Sequence, residues 1–270
     1  MRWAIYRIHY GLDFLSQSIN SILDSVDKVF VVYSLNPWVR KPTVNYLGKD
    51  IPMPNLHEDV RTFMYDHFNE EPKVSLIHRE FTTPLNQFPL IYEMCASLSK
   101  SPMPKFLLFI EPDMVFFKPD VEVLFTELSN SDNLPCIGTH QIELWKSIAY
   151  RIPQRDRIGP MLWNLGRVSK FSTHFGTWHP DYQITTKKVK NYNFGFCLNP
   201  KTMLYKHLSA LNFSNAIGDS IPSQTWYEEK WLNWHPNTTN LEISAAHTHF
   251  IPKAQPYKMN KDIKKQIGAT

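Results

Sequence analysis

Cysteine is scarce: Cys95, Cys136 and Cys197 are odd in number and widely spaced, which excludes a disulfide framework or a zinc cage and reads as buried, reduced thiols. There is no C-x-x-C pair, no Gly-rich phosphate loop and no G-x-S-x-G elbow. No apolar run is long enough to cross a bilayer. Met1 leads almost directly into the strand-like stretch Trp3 to His9, so the expectation is a cytoplasmic chain with no signal peptide and no transmembrane segment. In that setting the sequons at Asn212 and Asn237 carry little weight. Charged residues make up only 20% of the chain and the net charge is +4, which rules out the basic stripe of a dedicated nucleic-acid binder and leaves room for a mildly basic anion pocket. Internal repeats and low-complexity linkers are missing too.

What is present is apolar and aromatic. At 270 residues and 43% hydrophobic content, the chain can bury a sizeable core as one large domain or two joined lobes. Aromatics at 14%, with eight Trp, exceed what a core needs and suggest a groove where a flat ligand face stacks. The organising stretch is Phe106 to Pro119, F-L-L-F-I-E-P-D-M-V-F-F-K-P. Phe106 to Ile110 reads as a strand covered on both faces, and Pro112 forces a bend. Glu111 and Asp113 lie where that bend leaves the core. Two carboxylates at i and i+2 can share a hard divalent cation and leave positions open for phosphate. The C-terminal edge of a parallel strand is where open α/β sheets bind ligands. The plainer alternative is a solvated Pro-Asp turn.

Up to that stretch strands and helices alternate. Trp3 to His9 is a first strand, and Asp13 is placed to cap a helix carrying Phe14, Ile19, Ile22 and Leu23. Lys28 to Leu35 is a second strand, Val39 to Met53 is Pro-punctuated and irregular, and Asn55 can cap a helix to about Phe68. Lys73 to Arg79 gives a third strand and Gln87 to Leu98 a third helix. Such alternation predicts an α/β fold with a mostly parallel central sheet and helices on both faces. After Pro119 the rhythm weakens. A helix from about Val121 to Leu128 and a short strand from Cys136 to His140 precede Trp145 to Thr177, which has little periodicity and reads as a functional, lid-like segment with Gly159, Gly166 and Gly176 as hinges. Tyr192 to Asn199 resumes a strand with Gly195 inside it, a mark of close approach by a backbone or ligand. A helix from about Lys201 to Leu211, a helical Trp226 to Trp234, a last strand from Leu241 to Phe250 and a basic stretch from Lys258 to Lys265, a solvated tail or a helix, complete the order.

Three polar clusters interrupt apolar elements: Glu111/Asp113, Glu228/Glu229 and His247/His249. On a strand the two histidines share a face, from which either can add an imidazole to a cation held by carboxylates; the alternative is a half-exposed surface pair. Glu228 and Glu229 stand between Trp226 and Trp231 and diverge on a helix, so at most one faces a cleft. A carboxylate in that aromatic setting suits a general base.

Taken in order, these features resemble the GT-A class of nucleotide-sugar glycosyltransferases. I-E-P-D-M-V-F-F-K-P is similar to the D-x-D motif of that class with Glu in first place, and E-P-D also resembles the motif of plant-type hydroxyproline arabinosyltransferases. H-F-I-P-K-A-Q-P-Y, from His249 to Tyr257, is similar to the H-F-x-G-x-x-K-P-W ending of glycogenin-like transferases, with Pro252 in place of Gly and Gln255 in place of Lys. The resemblance implies one GT-A domain: residues 1–119 bind the nucleotide sugar, 120–257 the acceptor, and 258–270 form a tail. It implies Mn2+ or Mg2+ on Glu111, Asp113 and His249. It also implies a UDP- or GDP-sugar donor against Tyr6, Arg7, Ser34, Asn86, Asp113 and Lys253, and a glycan or other hydroxyl acceptor against Trp163, Trp178 and Trp226. The acidic pair, Glu229 first and Glu228 second, then supplies the base of an inverting transfer. A non-catalytic sugar- or nucleotide-binding module, or a nucleotidyltransferase, fits the same order of elements.

Overall fold

The computed structural model describes residues 1–8, 11–34, 42–53, 57–79, 97, 103–152, 158–167, 185–217, 224–241 and 253–269. It is α/β, with a central sheet flanked by helices. Four parallel strands form its first half: β1 (Arg2–Ile8), β2 (Lys28–Tyr33), β5 (Val74–His78) and β6 (Phe106–Ile110), ordered β6-β1-β2-β5. Parallel pairing requires crossovers, which α1 (Leu15–Ile22) and α2 (His57–Phe68) supply between β1, β2 and β5. The apolar run of β6 is wholly or nearly wholly buried, as a strand covered on both faces must be. On one face Leu108 and Ile110 join Ala4, Tyr6, Ile8, Val29 and Val31 under Leu15, Ile19 and Ile22 of α1 and Leu124, Phe125 and Leu128 of α3 (Lys118–Asn130).

Between β2 and α2, where the sequence reads as irregular, an antiparallel hairpin forms: β3 (Thr43–Tyr46) and β4 (Lys49–Pro52). Leu47 and Gly48 both have positive φ, 49° and 79°, the two-residue turn that matches strand twist. Asp13 does not cap α1, whose N-cap is Phe14 with no side-chain bond. Its carboxylate instead accepts from the backbone N–H and the side-chain amide of Asn199 at 2.9 and 2.6 Å, holding the start of α4 (Pro200–Ile217). Asn199 in turn accepts from the Thr202 N–H at 3.0 Å, an N-cap ahead of Pro200 at the first helical position.

The second half adds β7 (Met114–Phe116), β8 (Cys136–Trp145), β9 (Ser147–Arg151), β10 (Ile158–Asn164), β11 (Thr185–Phe196) and β12 (Gln255–Pro256), with antiparallel pairing except β8 with β11. β10 lies between β6 and β8, and Leu162 and Trp163 on it are buried, so this part of the expected mobile segment is interior sheet. Residues 153–157 and 168–177 of that segment lie outside the described residues, as do nearly all of the helix expected over 87–98 and of the strand expected over 241–250. The basic end is not a solvated tail: α5 (Lys261–Gln266) buries Ile263, with Met259 just before it, against Ile142, Leu144, Tyr192 and Phe194, and Gln266 Nε2 donates to the Phe116 carbonyl at 2.7 Å. Among the described residues no helix is long and apolar enough to cross a membrane.

Candidate active site

The C-terminal ends of β1 and β6 meet at one edge of the parallel sheet. Tyr6 pairs in register with Ile110, so the next residues along, Arg7 and Glu111, are neighbours, and Arg7 Nη2 donates to Glu111 Oε1 at 3.2 Å. The chain then turns through Pro112, with the Met114 N–H closing on the Glu111 carbonyl at 3.1 Å, and enters β7. β7 pairs with β11, which brings Asn193 and Gly195 beside Asp113.

Asp113 is the centre of this arrangement. Its carbonyl accepts from the Phe194 N–H at 2.7 Å, and its carboxylate Oδ2 accepts from Lys206 Nζ at 3.2 Å. Lys206, on the second turn of α4, also donates to the Gly195 carbonyl at 3.0 Å. Gly195 N–H donates to Asn193 Oδ1 at 2.7 Å, a local turn that presents the carbonyl. A Cβ on Gly195 would stand 2.6 Å from Lys206 Nζ, 2.7 Å from Asn193 Oδ1 and 2.9 Å from Asp113 Oδ2, so only glycine leaves room for the close approach. The sequence marks this glycine; what approaches it is a carboxylate and an ammonium.

The other oxygen, Asp113 Oδ1, is buried and has no hydrogen-bond partner among the described residues. A buried carboxylate oxygen without a donor is costly and calls for an ion or a ligand atom. Glu111 is 31% exposed at its side chain, and its neighbour across Pro112 offers the unsatisfied oxygen, so the pair fits one side of a hard cation with oxygen ligands. His249, the third expected ligand, lies outside the described residues with His247, and among the described residues no three His, Cys, Asp or Glu side chains gather as a metal cage. Cys197 lies within electrostatic reach of Asp113, and Lys146 within that of Cys197. Burial pushes the Cys197 thiol up to about 12, Asp113 adding to the rise, while burial lowers Lys146, partly offset by Cys197. Lys146 has a φ of 62° and its ammonium lies 3.6 Å from the centre of the Trp231 ring.

A second polar cluster sits on the next face of α4. Glu228 and Glu229 belong to a π-helical turn, Tyr227–Leu232, and diverge as adjacent positions do: Glu229 is exposed and Glu228 turns inward. Tyr46 of the β3–β4 hairpin donates its phenol hydrogen to Glu228 Oε2. Burial, then the Glu228 bond and charge, drive the Tyr46 hydroxyl far above its ordinary range. His207, one residue along α4 from Lys206, packs edge-on against Tyr46 and over Trp226 and Tyr227. Its Nε2 meets the Gln224 carbonyl at 3.4 Å, Nδ1 has no partner among the described residues, and burial holds the ring below its ordinary value against the opposing pull of Gln224 and Glu228. Phe196, the last residue of β11, joins the two clusters, being 6.1 Å from Trp226 and 5.6 Å from Lys206 Nζ between centres.

Several expected contacts are corrected. Tyr6 is 0% exposed, packed under α1 with its hydroxyl bonded to Ser18 at 3.1 Å, so it supports the sheet and does not face a donor. Trp163 and Trp226 are each 1% exposed, and Trp226 Nε1 donates to the Leu241 carbonyl at 3.0 Å; a ring with no free face cannot stack on a sugar. Ser34 follows β2, wholly buried, its N–H donating to the Ile8 carbonyl at 3.2 Å. Lys253 is exposed beside β12. Asn86 and Trp178 lie outside the described residues. Sequence reading did not find Lys206, Tyr46 or His207, which stand alone in their local patterns and acquire partners only through the fold.

No protein-family model matches this sequence, and no curated protein matches it. Solved structures match in outline. The mannosyltransferase PcManGT from Pyrobaculum calidifontis, in complex with GDP-Man and Mn2+, aligns at 10% identity and a TM-score of 0.47 over 83% of this chain and 67% of its own. HddC from Yersinia pseudotuberculosis aligns at 10% identity and 0.43 over 72% and 94% respectively. The 4-diphosphocytidyl-2C-methyl-D-erythritol synthase from Anaerococcus prevotii aligns at 9% and 0.41 over 76% and 94%. At such identities and scores the likeness carries no functional weight.

Proposed function

We propose that this protein is a glycosyltransferase that moves a sugar from a nucleoside-diphosphate sugar to a hydroxyl acceptor, using Mn2+ or Mg2+ held by Asp113 and Glu111. The observation that carries the reading is the buried Asp113 Oδ1, without a partner among the described residues, in a carboxylate pair at the C-terminal end of a parallel strand. Ligands of open α/β sheets bind at that edge. A divalent cation bound there supplies charge neutralisation for a departing diphosphate.

The chain's own groups do the rest. Arg7 and Lys206 place two further positive charges beside the carboxylates, where anionic oxygens of the donor gain charge-assisted hydrogen bonds. Glu228, held by Tyr46, takes the proton of the acceptor hydroxyl as that oxygen bonds to the anomeric carbon and the bond to the diphosphate breaks. Glu229, the first choice from sequence, is exposed, whereas Glu228 is half-buried and held by Tyr46, so Glu228 is the better candidate. One base on the acceptor side corresponds to inversion.

Purified protein incubated with a panel of UDP- and GDP-sugars, with and without Mn2+, tests the reading. Slow, Mn2+-dependent release of free nucleoside diphosphate is the expected result. Binding without turnover would make the chain a sugar-nucleotide-binding module, and pyrophosphate chemistry a nucleotidyltransferase.

A further inference from the structure

Before any donor arrives, Lys206 is already bound to the carboxylate assigned to the cation. An ammonium 3.2 Å from Asp113 Oδ2 and 3.0 Å from the Gly195 carbonyl already neutralises the carboxylate that the divalent cation requires. The arrangement is built: Asn193 turns the Gly195 carbonyl toward the ammonium, and the missing Cβ of Gly195 makes the space that Nζ fills. The lysine is only partly exposed, 26% at its side chain, on a helix whose start is clamped by Asp13 and Asn199. A compact charge on a flexible four-carbon stem can leave one anion for another without moving its helix.

Resting on the assignment of Asp113 as a cation ligand, we infer that Lys206 is a resident counter-cation that competes with the divalent ion for Asp113 and passes its charge to the diphosphate when donor arrives. The divalent ion alone then meets a carboxylate already compensated, and binds weakly. A nucleoside diphosphate gives the ammonium a second anion to bind, so ion and donor enter together. Lys206 acts through Asp113 on the ion and directly on phosphate oxygens, and no covalent step is involved.

The test uses Mn2+ alone, followed by electron paramagnetic resonance of the free ion, on the intact protein without nucleotide. Lys206→Met should bind Mn2+ about tenfold more tightly than the native chain, because a competing charge worth one decade of affinity has gone. The same variant should bind GDP and UDP in saturating Mn2+ about tenfold more weakly, and Lys206→Arg should stay close to native in both measurements. Lys206→Gln is the second variant, a neutral side chain that can still donate to Asp113 Oδ2 but brings no charge; it too should tighten Mn2+ alone. Equal Mn2+ affinity in the native chain, Lys206→Met and Lys206→Gln, all above that of Asp113→Asn, would overturn the counter-cation role and leave the metal site standing. Affinity no greater than that of Asp113→Asn in every variant would overturn the metal site itself.

Discussion

Tyr46 and Glu228 are 182 positions apart and share a hydrogen bond, the phenol donating to Oε2 of the carboxylate. The contact ties the β3–β4 hairpin to the π-helical turn, over a floor made by His207 and Trp226 of the aromatic cluster. Tyr46 is 7% exposed, so the hydrogen bond forms where water competes little for it.

Tyr46→Phe removes the donor and keeps the ring. A hydrogen bond to a charged group is worth about 1.5–3 kcal/mol, and a base no longer held toward the acceptor should cost turnover about tenfold or more. Donor KM should be unchanged, because the bond that is lost goes to Glu228 and not to Asp113. A fall in stability with turnover per folded molecule intact would make Tyr46 a packing residue.

Asp113→Asn should abolish Mn2+-dependent donor turnover, by on the order of 100-fold or more. The amide keeps the shape and can still accept from Lys206, but it lacks the charge a hard cation needs. Retained Mn2+-dependent turnover would remove Asp113 from the site.

The parallel half of this fold is legible in the sequence because its strands are short apolar runs closed by polar or turn residues. β6 and the E-P-D bend are the clearest case, where five apolar residues stop at two acids. β10 was hidden for a physical reason: Gly159 and Pro160 open it, breaking the alternation that marks a strand, and its place between β6 and β8 comes from pairing with residues far away in sequence. The hairpin was hidden by its prolines, although Val44, Tyr46 and Gly48 carry the alternation and the turn glycine. Within the site, the acids at Glu111, Asp113 and Glu228 were visible as polar interruptions. Lys206 was not, because a lysine on a helix looks solvated until Asp113, 93 positions earlier, is folded against it.

Ile263→Ala separates a docked C-terminal helix from a solvated tail. Ile263 is 1% exposed among Ile142, Leu144, Tyr192, Phe194 and Met259, so truncation should cost about 2–4 kcal/mol by urea denaturation. A solvated position would change stability by less than about 0.5 kcal/mol.

His207 gives the fold a pH dependence of defined sign. Burial lowers its folded value below the ordinary 6.5, so as pH falls beneath 6.5 the unfolded chain takes up a proton that the folded chain does not. Stability is therefore fully present above the unfolded value, is lost as pH falls from it through the folded value, and then levels off. The urea midpoint should be lower at pH 5.5 than at pH 7.5, and His207→Gln should narrow that difference. An unchanged difference would assign the acid sensitivity to other groups.

Glu228 and Glu229 decide the stereochemistry. Glu228→Gln keeps the carboxyl shape and a partner for Tyr46 but cannot accept the acceptor proton, so donor and Mn2+ affinity should persist while turnover falls by about 100-fold or more, the scale of a positioned base. Glu229→Gln changes an exposed side chain and should stay within about threefold of native. The reverse pattern would return the role to Glu229, whose carboxylate would then have to be oriented by the bound acceptor. A retaining enzyme requires neither, since departing diphosphate can assist the attacking hydroxyl. NMR of the first-formed product tells these apart: an anomeric configuration opposite to the donor's accords with a base at Glu228, and one equal to the donor's would remove the base role from both residues and leave Glu228 as the anchor of the hairpin.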